Sequence, residues 1–421
     1  MENTIERAVL CGLCADCFKK EEQATEQTLD ELEALLETAG GVCVGKVLQN
    51  RHAPDPHSFV GEGKAQEIRE LAEHHEAGMV VFDNELSPSQ IRALEEITGT
   101  TVLDRSALIL DIFAQRARTA EGRLQVELAQ YKYLLPKLSG MGKSLSRLGG
   151  GIGTRGPGET KLETDRRHIR ARIDRLEAEL EQVRKLRAVE RRRREKNEIP
   201  VVALVGYTNT GKSTLLNRLT GAGIPANDRL FDTLDTTTRQ LEISDRLTVL
   251  LSDTVGFIAK LPHHLVDAFR ATLEELSYAD LLIHVIDAAD PEREAHIQVV
   301  ERLIGDLAKP ETPVIRCYNK ADLVQPEALP IGPDKVAISA KTGKGLDELF
   351  SVIERELCKG LRHAVFLLPY AMGGQVETLH NKAKVLRVDY KDNGIEIEAE
   401  LDEVLYGRLA QYEETLQKVK S

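Results

Sequence analysis

"VVALVGYTNTGKSTLLNRL", Val201 to Leu219, opens with an uninterrupted apolar run, passes through Gly206, Gly211, Lys212 and Ser213, and continues as an amphipathic helical pattern. The spacing is GxxxxGK[ST], in the strand-to-helix context that a phosphate-cradling loop requires. Glycines let backbone N–H groups wrap a β-phosphate, and the helix that follows adds the positive end of its dipole. Lys212 is spaced to reach the β- and γ-oxygens, and Ser213 to offer a hydroxyl to magnesium. A strand that feeds such a loop belongs to an open α/β sheet, so this stretch decides the fold class of the segment around it.

Downstream, the same architecture repeats its signature. "LTVLLSDTVGF" is a second buried-strand pattern, ending in Asp253 and Gly256. An aspartate at the carboxyl end of a parallel strand beside a phosphate loop stands where nucleotide-bound magnesium needs its outer carboxylate. "LLIHVID" and "TPVIRCYNKAD" supply two more strands, the latter delivering Asn319, Lys320 and Asp322, and "VAISAKTGKGL" brings Ser339, Ala340 and Lys341. Each motif follows a strand, as ligand sites in open parallel sheets do.

Upstream, residues 1–103 alternate short β-branched runs ("RAVLCG", "GGVCVGKVL", "GMVVFD", "TVLD") with helical segments, the rhythm of a small α/β domain. "VGEGK", Val60 to Lys64, has half of a phosphate loop but lacks the second Gly-Lys-Ser/Thr element, and reads as an ordinary helix start. Residues 104–197 carry two apolar stripes spaced 4, 3, 4, 3: Leu124, Leu128, Tyr131, Leu135 and Leu138, then Ile169, Ile173, Leu176, Leu180 and Val183. Each stripe can seal against the other, which predicts an antiparallel helical hairpin with Pro136 ending or kinking its first arm. The tip is then the glycine-rich loop 139–161, including "GGGIGTRGPGETK". From Lys161 to Asn197 there are 14 Lys or Arg against 8 Asp or Glu, with Lys143, Arg147 and Arg155 in the loop. Such a run is either a solvated helix face or a surface for RNA phosphates, and charge alone leaves both open. Residues 198–361 hold the phosphate-loop domain, and 362–421 read as a small β-α-β-β-α unit whose hairpin turns at Asp392, Asn393 and Gly394.

Bulk properties bound the function. A formal net charge of −12 excludes a chain that coats nucleic acid uniformly, so a polyanionic partner must be met by a local basic patch. The N-terminus has acidic residues where a signal peptide needs basic ones, and no apolar run approaches a membrane span. A cytoplasmic monomer is expected, meeting membranes at most peripherally. "CGLCADC" places Cys11, Cys14 and Cys17 at metal-like spacing, but no fourth ligand lies nearby, and Cys11 is expected at the end of the first strand; free thiols are the favoured reading.

The order phosphate loop, DxxG, NKxD and SAK resembles that of the Ras-like GTPases. More narrowly, "PDPHSFVGEGKAQEI", "IFAQRARTAEGRLQVELAQ", "GGGIGTRGPGETKLETDRR", "FDTLD" and "DTVGFIAKLPHHLVDAF" resemble the signatures of the HflX family of ribosome-associated GTPases, along nearly the whole chain. The resemblance implies an α/β chain: a Ras-like P-loop GTPase domain preceded by a small α/β domain with a long helical hairpin and followed by a small α+β C-terminal domain. It implies GTP and GDP as ligands, with Asp322 reading the guanine donors, Asn319, Lys320 and Ala321 about the base, and Ser339, Ala340 and Lys341 at the guanine oxygen. Phosphate contacts are implied along Gly206, Tyr207, Thr208, Asn209, Thr210, Gly211, Lys212, Ser213 and Thr214, and at Asp253, Thr254, Val255 and Gly256. "FDTLD", comprising Phe231, Asp232, Thr233, Leu234 and Asp235, is implied as the switch whose Thr233 joins Ser213 on Mg2+. Lys212, Thr233, Asp253 and Gly256 carry catalysis on this reading. The large ribosomal subunit and its RNA are the implied partner, reached through Arg147, Arg155 and Lys161, with ribosome splitting or rescue under stress as the implied outcome.

Many Ras-like enzymes place Gln after the DxxG glycine to orient the attacking water, whereas this chain has Phe257. Slow unaided hydrolysis is therefore expected, accelerated on the ribosome. The alternative from another class is an RNA-docking factor for which nucleotide is a conformational switch and turnover incidental.

Overall fold

The computed structural model describes residues 6–19, 22–138, 157–195, 199–221, 230–231, 237–244, 247–260, 265, 275–359 and 361–413. Asp232, Thr233, Leu234, Asp235, Arg147 and Arg155 lie outside the described residues, as does the side chain of Lys161. The chain divides into two compact units, Met1–Leu241 with Leu250–Leu346, and Glu242–Val249 with Asp347–Ser421.

The first unit begins with β1 (Arg7–Ala15), α1 (Glu26–Ala39), β2 (Val42–Arg51), α2 (Glu62–His74), β3 (Met79–Phe82), α3 (Pro88–Thr98), β4 (Thr101–Asp104) and α4 (Arg105–Arg116). Its sheet runs β2-β1-β3-β4 with every pairing parallel. Local chemistry sets the helix limits. Thr25 and Thr28 form a capping box before α1, and Gly40 ends it at φ 98°. Ser87 and Gln90 do the same for α3, with Pro88 at its first turn. The first strand runs past Cys11 to Ala15 because Leu13 and Ala15 are buried and still pair with β2. Cys11 and Cys14 are thus three apart on one strand and point to opposite faces, an arrangement that cannot converge on one ion. Among the described residues no group of His, Cys, Asp or Glu is placed to hold a metal.

Next come α5 (Ala120–Lys137) and α6 (Pro157–Glu195). The two stripes meet: Leu128, Ile173, Leu176 and Leu180 are buried together, flanked by Leu124, Tyr131, Leu135 and Ile169. Lys132 to Glu177 at 2.7 Å and Arg172 to Glu127 at 2.6 Å edge the seam. Tyr133 and Lys137 tie α5 to Asp104, the N-cap of α4, at 2.6 and 2.8 Å.

The phosphate-loop sheet and its helices follow: β5 (Val201–Val205), α7 (Lys212–Thr220), β6 (Thr237–Ser244), β7 (Leu247–Asp253), α8 (Glu275–Tyr278), β8 (Leu281–Asp287), α9 (Arg293–Leu307), β9 (Val314–Asn319) and β10 (Lys335–Ala337), all in the first unit save the Glu242–Val249 portion of β6 and β7. The strand order is β10-β9-β8-β5-β7-β6, with β5 between β8 and β7 in parallel register. Its apolar strands are buried on both faces, as a doubly covered parallel sheet demands. One core cluster joins this sheet to the N-terminal α/β layer, with Leu29, Leu32, Leu36, Ile109 and Phe113 packed together with Val205, Phe231, Phe257 and Ile258. No helix among the described residues is long and apolar enough to cross a membrane.

The second unit includes α10 (Leu346–Leu357) from Asp347 onward, β11 (Leu361–Leu368), α11 (Gly373–Lys382), β12 (Lys384–Lys391), β13 (Gly394–Asp402) and α12 (Glu403–Leu409). Its antiparallel sheet runs β11-β13-β12. Ile395, Ile397, Ala399 and Leu401 alternate into the core, while Glu398 and Glu400 meet His363 at 2.8 Å and Lys384 at 3.7 Å.

Candidate active site

The phosphate loop runs from β5 into α7. Gly206, Asn209 and Gly211 hold φ of 158°, 60° and 90°. A Cβ on Gly206 would lie 2.3 Å from the Val285 carbonyl oxygen, and one on Gly211 would lie 2.4 Å from Asn319 Nδ2, so both positions require glycine. The loop's carbonyls are already engaged: Gly206 and Tyr207 accept from Lys212 Nζ at 3.0 and 2.6 Å, and Tyr207 also accepts from Thr210 Oγ1 at 3.0 Å. Lys212 is thereby anchored as well as buried, and burial lowers its pKa to about 8 against the opposing pull of Asp253. Thr214 is exposed in the first turn of α7.

Asp253 closes β7 beside Leu204 of β5, and its Oδ2 accepts from Ser213 Oγ at 2.9 Å. A hydroxyl joined to a carboxylate at this point is the hard-oxygen donor pair that suits magnesium. Thr254 is structural, its hydroxyl donating to the Leu204 carbonyl at 2.6 Å, and Val255 is buried in the shared core. Gly256 packs on the loop itself. Thr208 N–H donates to the Phe257 carbonyl at 2.7 Å, and Phe257 N–H to Gly206 at 3.1 Å.

On the base side, Asn319 ends β9 and works as a strap. Its Nδ2 donates to the Thr210 carbonyl at 2.8 Å, and its Oδ1 accepts from Ala340 N–H at 2.9 Å, joining the phosphate loop to the SAK turn. Lys320, at φ 59°, extends its ammonium to Asp287 at 2.7 Å. Ala321 N–H donates to the Ile338 carbonyl at 3.0 Å. A hydrogen bond from Ser339 is the main cause that holds Asp322 below the ordinary carboxylate range, so it is an acceptor at neutral pH. Lys341 is exposed at the rim.

Two expected contact residues turn elsewhere. The Tyr207 ring stacks on His296 at 3.7 Å, and its hydroxyl donates to Glu31 while accepting from Ala259 N–H at 2.6 Å. Phe231, at φ 55°, packs edge-on against Phe113 of α4 at 4.8 Å. Glu31 and His296, which receive Tyr207, carry no motif, and neither do Arg105 and Asp83, which extend the network from Glu31. Asp83 nevertheless sits at the end of "GMVVFD", the same strand-terminal aspartate signal that located Asp253.

Comparison with known proteins decides the family. Residues 26–114 match the family described as GTP-binding GTPase N-terminal, 116–194 its Middle Region, and 201–320 the family described as 50S ribosome-binding GTPase. The chain is 50% identical to GTPase HflX of Caldanaerobacter subterraneus over 94% of its length and 91% of that relative's, and 42% identical to GTPase HflX of Escherichia coli over 93% of each. The chain belongs to the HflX family of GTPases. Among solved structures, that of SsGBP with GDP is 25% identical with a TM-score of 0.49, covering 83% of this chain and 98% of that one. As an HflX-family GTPase, the protein binds GTP and hydrolyses it to GDP and phosphate.

Proposed function

We propose that this GTPase docks on the large ribosomal subunit and couples GTP binding and hydrolysis to dissociation or rescue of ribosomes, under conditions that stall them. The observation that carries the reading is α6, a 39-residue helix that leads towards β5 through a short connection at one end and from the glycine-rich loop at the other. At 1.5 Å per residue its two ends lie roughly 58 Å apart, farther than a small domain is wide. A loop joined to one end of so long a helix suits a surface of its own. Its glycines suit a narrow approach to RNA, and Arg147, Arg155 and Lys161 suit phosphates and base faces. The match of residues 201–320 to a family described as 50S ribosome-binding supports the same partner.

At the nucleotide, Ser213 and Thr233 would hold Mg2+ with Asp253 as outer carboxylate, and the ion would neutralise charge on the β- and γ-phosphates. Lys212 supplies fixed positive charge to the same oxygens, and Asp322 fixes the base. Phe257 is 2% exposed and cannot orient water, so the catalytic arrangement is completed on the partner.

The test is GTP turnover with and without purified large subunits. Stimulation of at least about tenfold is expected, a threshold well below the roughly 1,000-fold or more that completing a GTPase site can contribute. Replacing 149–158 by a serine linker, or Arg155→Ala, should abolish that stimulation while free-protein GTP affinity stays intact. Loss of nucleotide affinity in the loop variant without ribosomes would make the loop a second phosphate cradle instead.

A further inference from the structure

Three buried threonines stand in the phosphate loop and at the strand end beside it, and the fold treats their hydroxyls differently. Thr210 Oγ1 donates to the Tyr207 carbonyl at 3.0 Å, and Thr254 Oγ1 to the Leu204 carbonyl at 2.6 Å. Each is satisfied within the protein, as buried hydroxyls ordinarily are. Thr208 is not. It is 6% exposed, yet among the described residues its Oγ1 has no hydrogen-bond partner. A buried hydroxyl without a partner costs stability, and such an atom in a native loop points to a ligand that completes it.

The place of that hydroxyl says which part of the ligand. Thr208 N–H donates to the Phe257 carbonyl at 2.7 Å and Phe257 N–H to the Gly206 carbonyl at 3.1 Å, so the loop is pinned to the DxxG segment by a parallel bridge between Tyr207 and Phe257. Phe257 occupies the position where many Ras-like enzymes carry the glutamine that orients the attacking water. Thr208 is therefore bonded to the very residue that lacks this capacity. Its side chain also borders Gly256 together with the Lys212 ammonium: the point where a Gly256 Cβ would stand is 3.0 Å from Thr208 Cγ2 and 3.2 Å from Lys212 Nζ. The lysine serves the β- and γ-oxygens, which puts the Thr208 side chain at the reacting end of the nucleotide.

We propose that Thr208 is a catalytic residue, whose hydroxyl donates to a γ-phosphoryl oxygen and accepts a hydrogen bond from the attacking water. One O–H and two lone pairs allow both at once. The water oxygen bonds to the γ-phosphorus as the bond to the β–γ bridging oxygen breaks. GDP leaves with that electron pair, the released water proton ends on a phosphate oxygen, and the threonine is unchanged. The inference rests on GTP hydrolysis and not on ribosome docking, and its test uses the free, full-length protein, so the two can fail separately.

Thr208→Val keeps the branched shape and removes the hydroxyl, whereas Thr208→Ser keeps the hydroxyl. In Thr208→Val, single-turnover hydrolysis at saturating GTP falls at least about tenfold, a threshold below the roughly 100-fold that losing one preorganised donor can cost. GDP affinity stays within about twofold, and affinity for a non-hydrolysable GTP analogue within about threefold, because the contact matures in the transition state. The nucleotide-free Val variant melts no lower than wild type, since a methyl replaces an unpartnered hydroxyl. Thr208→Ser recovers most of the rate. Wild-type hydrolysis in Thr208→Val overturns the proposal, as does an equal loss of rate in Thr208→Ser. A Val variant that loses rate, GDP affinity and melting temperature together also overturns it, because the hydroxyl would then be holding the loop. Should Thr208→Val fail to fold, Thr208→Ala decides by the same ratio of hydrolysis rate to GDP affinity.

Discussion

At the scale of single residues, the ammonium of Lys212 gives the most direct prediction. Burial lowers its pKa to about 8, below the ordinary lysine value, so the free protein loses that proton as pH rises through 8. Phosphate oxygens favour the charged form, which raises the pKa in the bound state. Above pH 8 the complex therefore holds more protons than the free protein, and affinity for GDP falls as pH increases. Calorimetry at pH 8.5 in buffers of different ionisation enthalpy should show proton uptake on GDP binding, absent at pH 6.5. Equal heats after buffer correction at both pH values would place Lys212 outside the phosphate site. Asp322 gives the second. Its carboxylate, held ionised mainly by Ser339, matches the guanine donors, so Asp322→Asn should weaken GTP by at least about tenfold through loss of a charge-assisted hydrogen bond. Xanthosine triphosphate should bind the variant better than GTP does in a competition titration.

At the scale of elements, the strand-to-loop junctions were legible because chemistry there demands particular residues: β5 into Gly206–Ser213, β7 into Asp253, β9 into Asn319 and Asp322. The seam between α5 and α6 was legible because its spacing alone defines a face. What could not be read was which face of the N-terminal layer meets the switch segments. Glu31, Asp83 and Arg105 are ordinary charged residues in sequence, and they become a buried network only when two domains close over them. Tyr207 likewise reads as a loop contact, yet its ring leaves the loop for His296 and its hydroxyl for Glu31. The strap from β9 to the phosphate loop can be tested at Gly211. In Gly211→Ala the new methyl meets Asn319 Nδ2 at 2.4 Å on a backbone at φ 90°, so the loop must leave the strap or distort. GDP affinity should fall at least about tenfold, corresponding to roughly 1.4 kcal/mol. Asn319→Ala should reproduce much of that loss, because the Thr210 carbonyl and Ala340 amide lose their bridge. If Gly211→Ala binds GDP normally, the strap does not shape the loop.

At the scale of the whole first unit, the sequence suggests separable layers, whereas the core is shared. Leu29, Leu32 and Leu36 of α1 and Phe113 of α4 are buried in one cluster with Val205, Phe231 and Phe257 of the phosphate-loop layer. Apolar area buried between layers couples their unfolding, since separating them exposes both faces to water. The expectation is a single cooperative transition for the two layers rather than two. Ligand linkage makes this measurable: GDP at 100 times its dissociation constant should stabilise whatever unfolds with its site by roughly 2.7 kcal/mol. Native-state hydrogen exchange should then slow by the same free energy at the slowest amides of β1, which never touch nucleotide, and of β5, which leads into the phosphate loop. A shift confined to β5 would mean that the N-terminal layer opens on its own, and that the cluster around Phe257 is a contact between independent bodies.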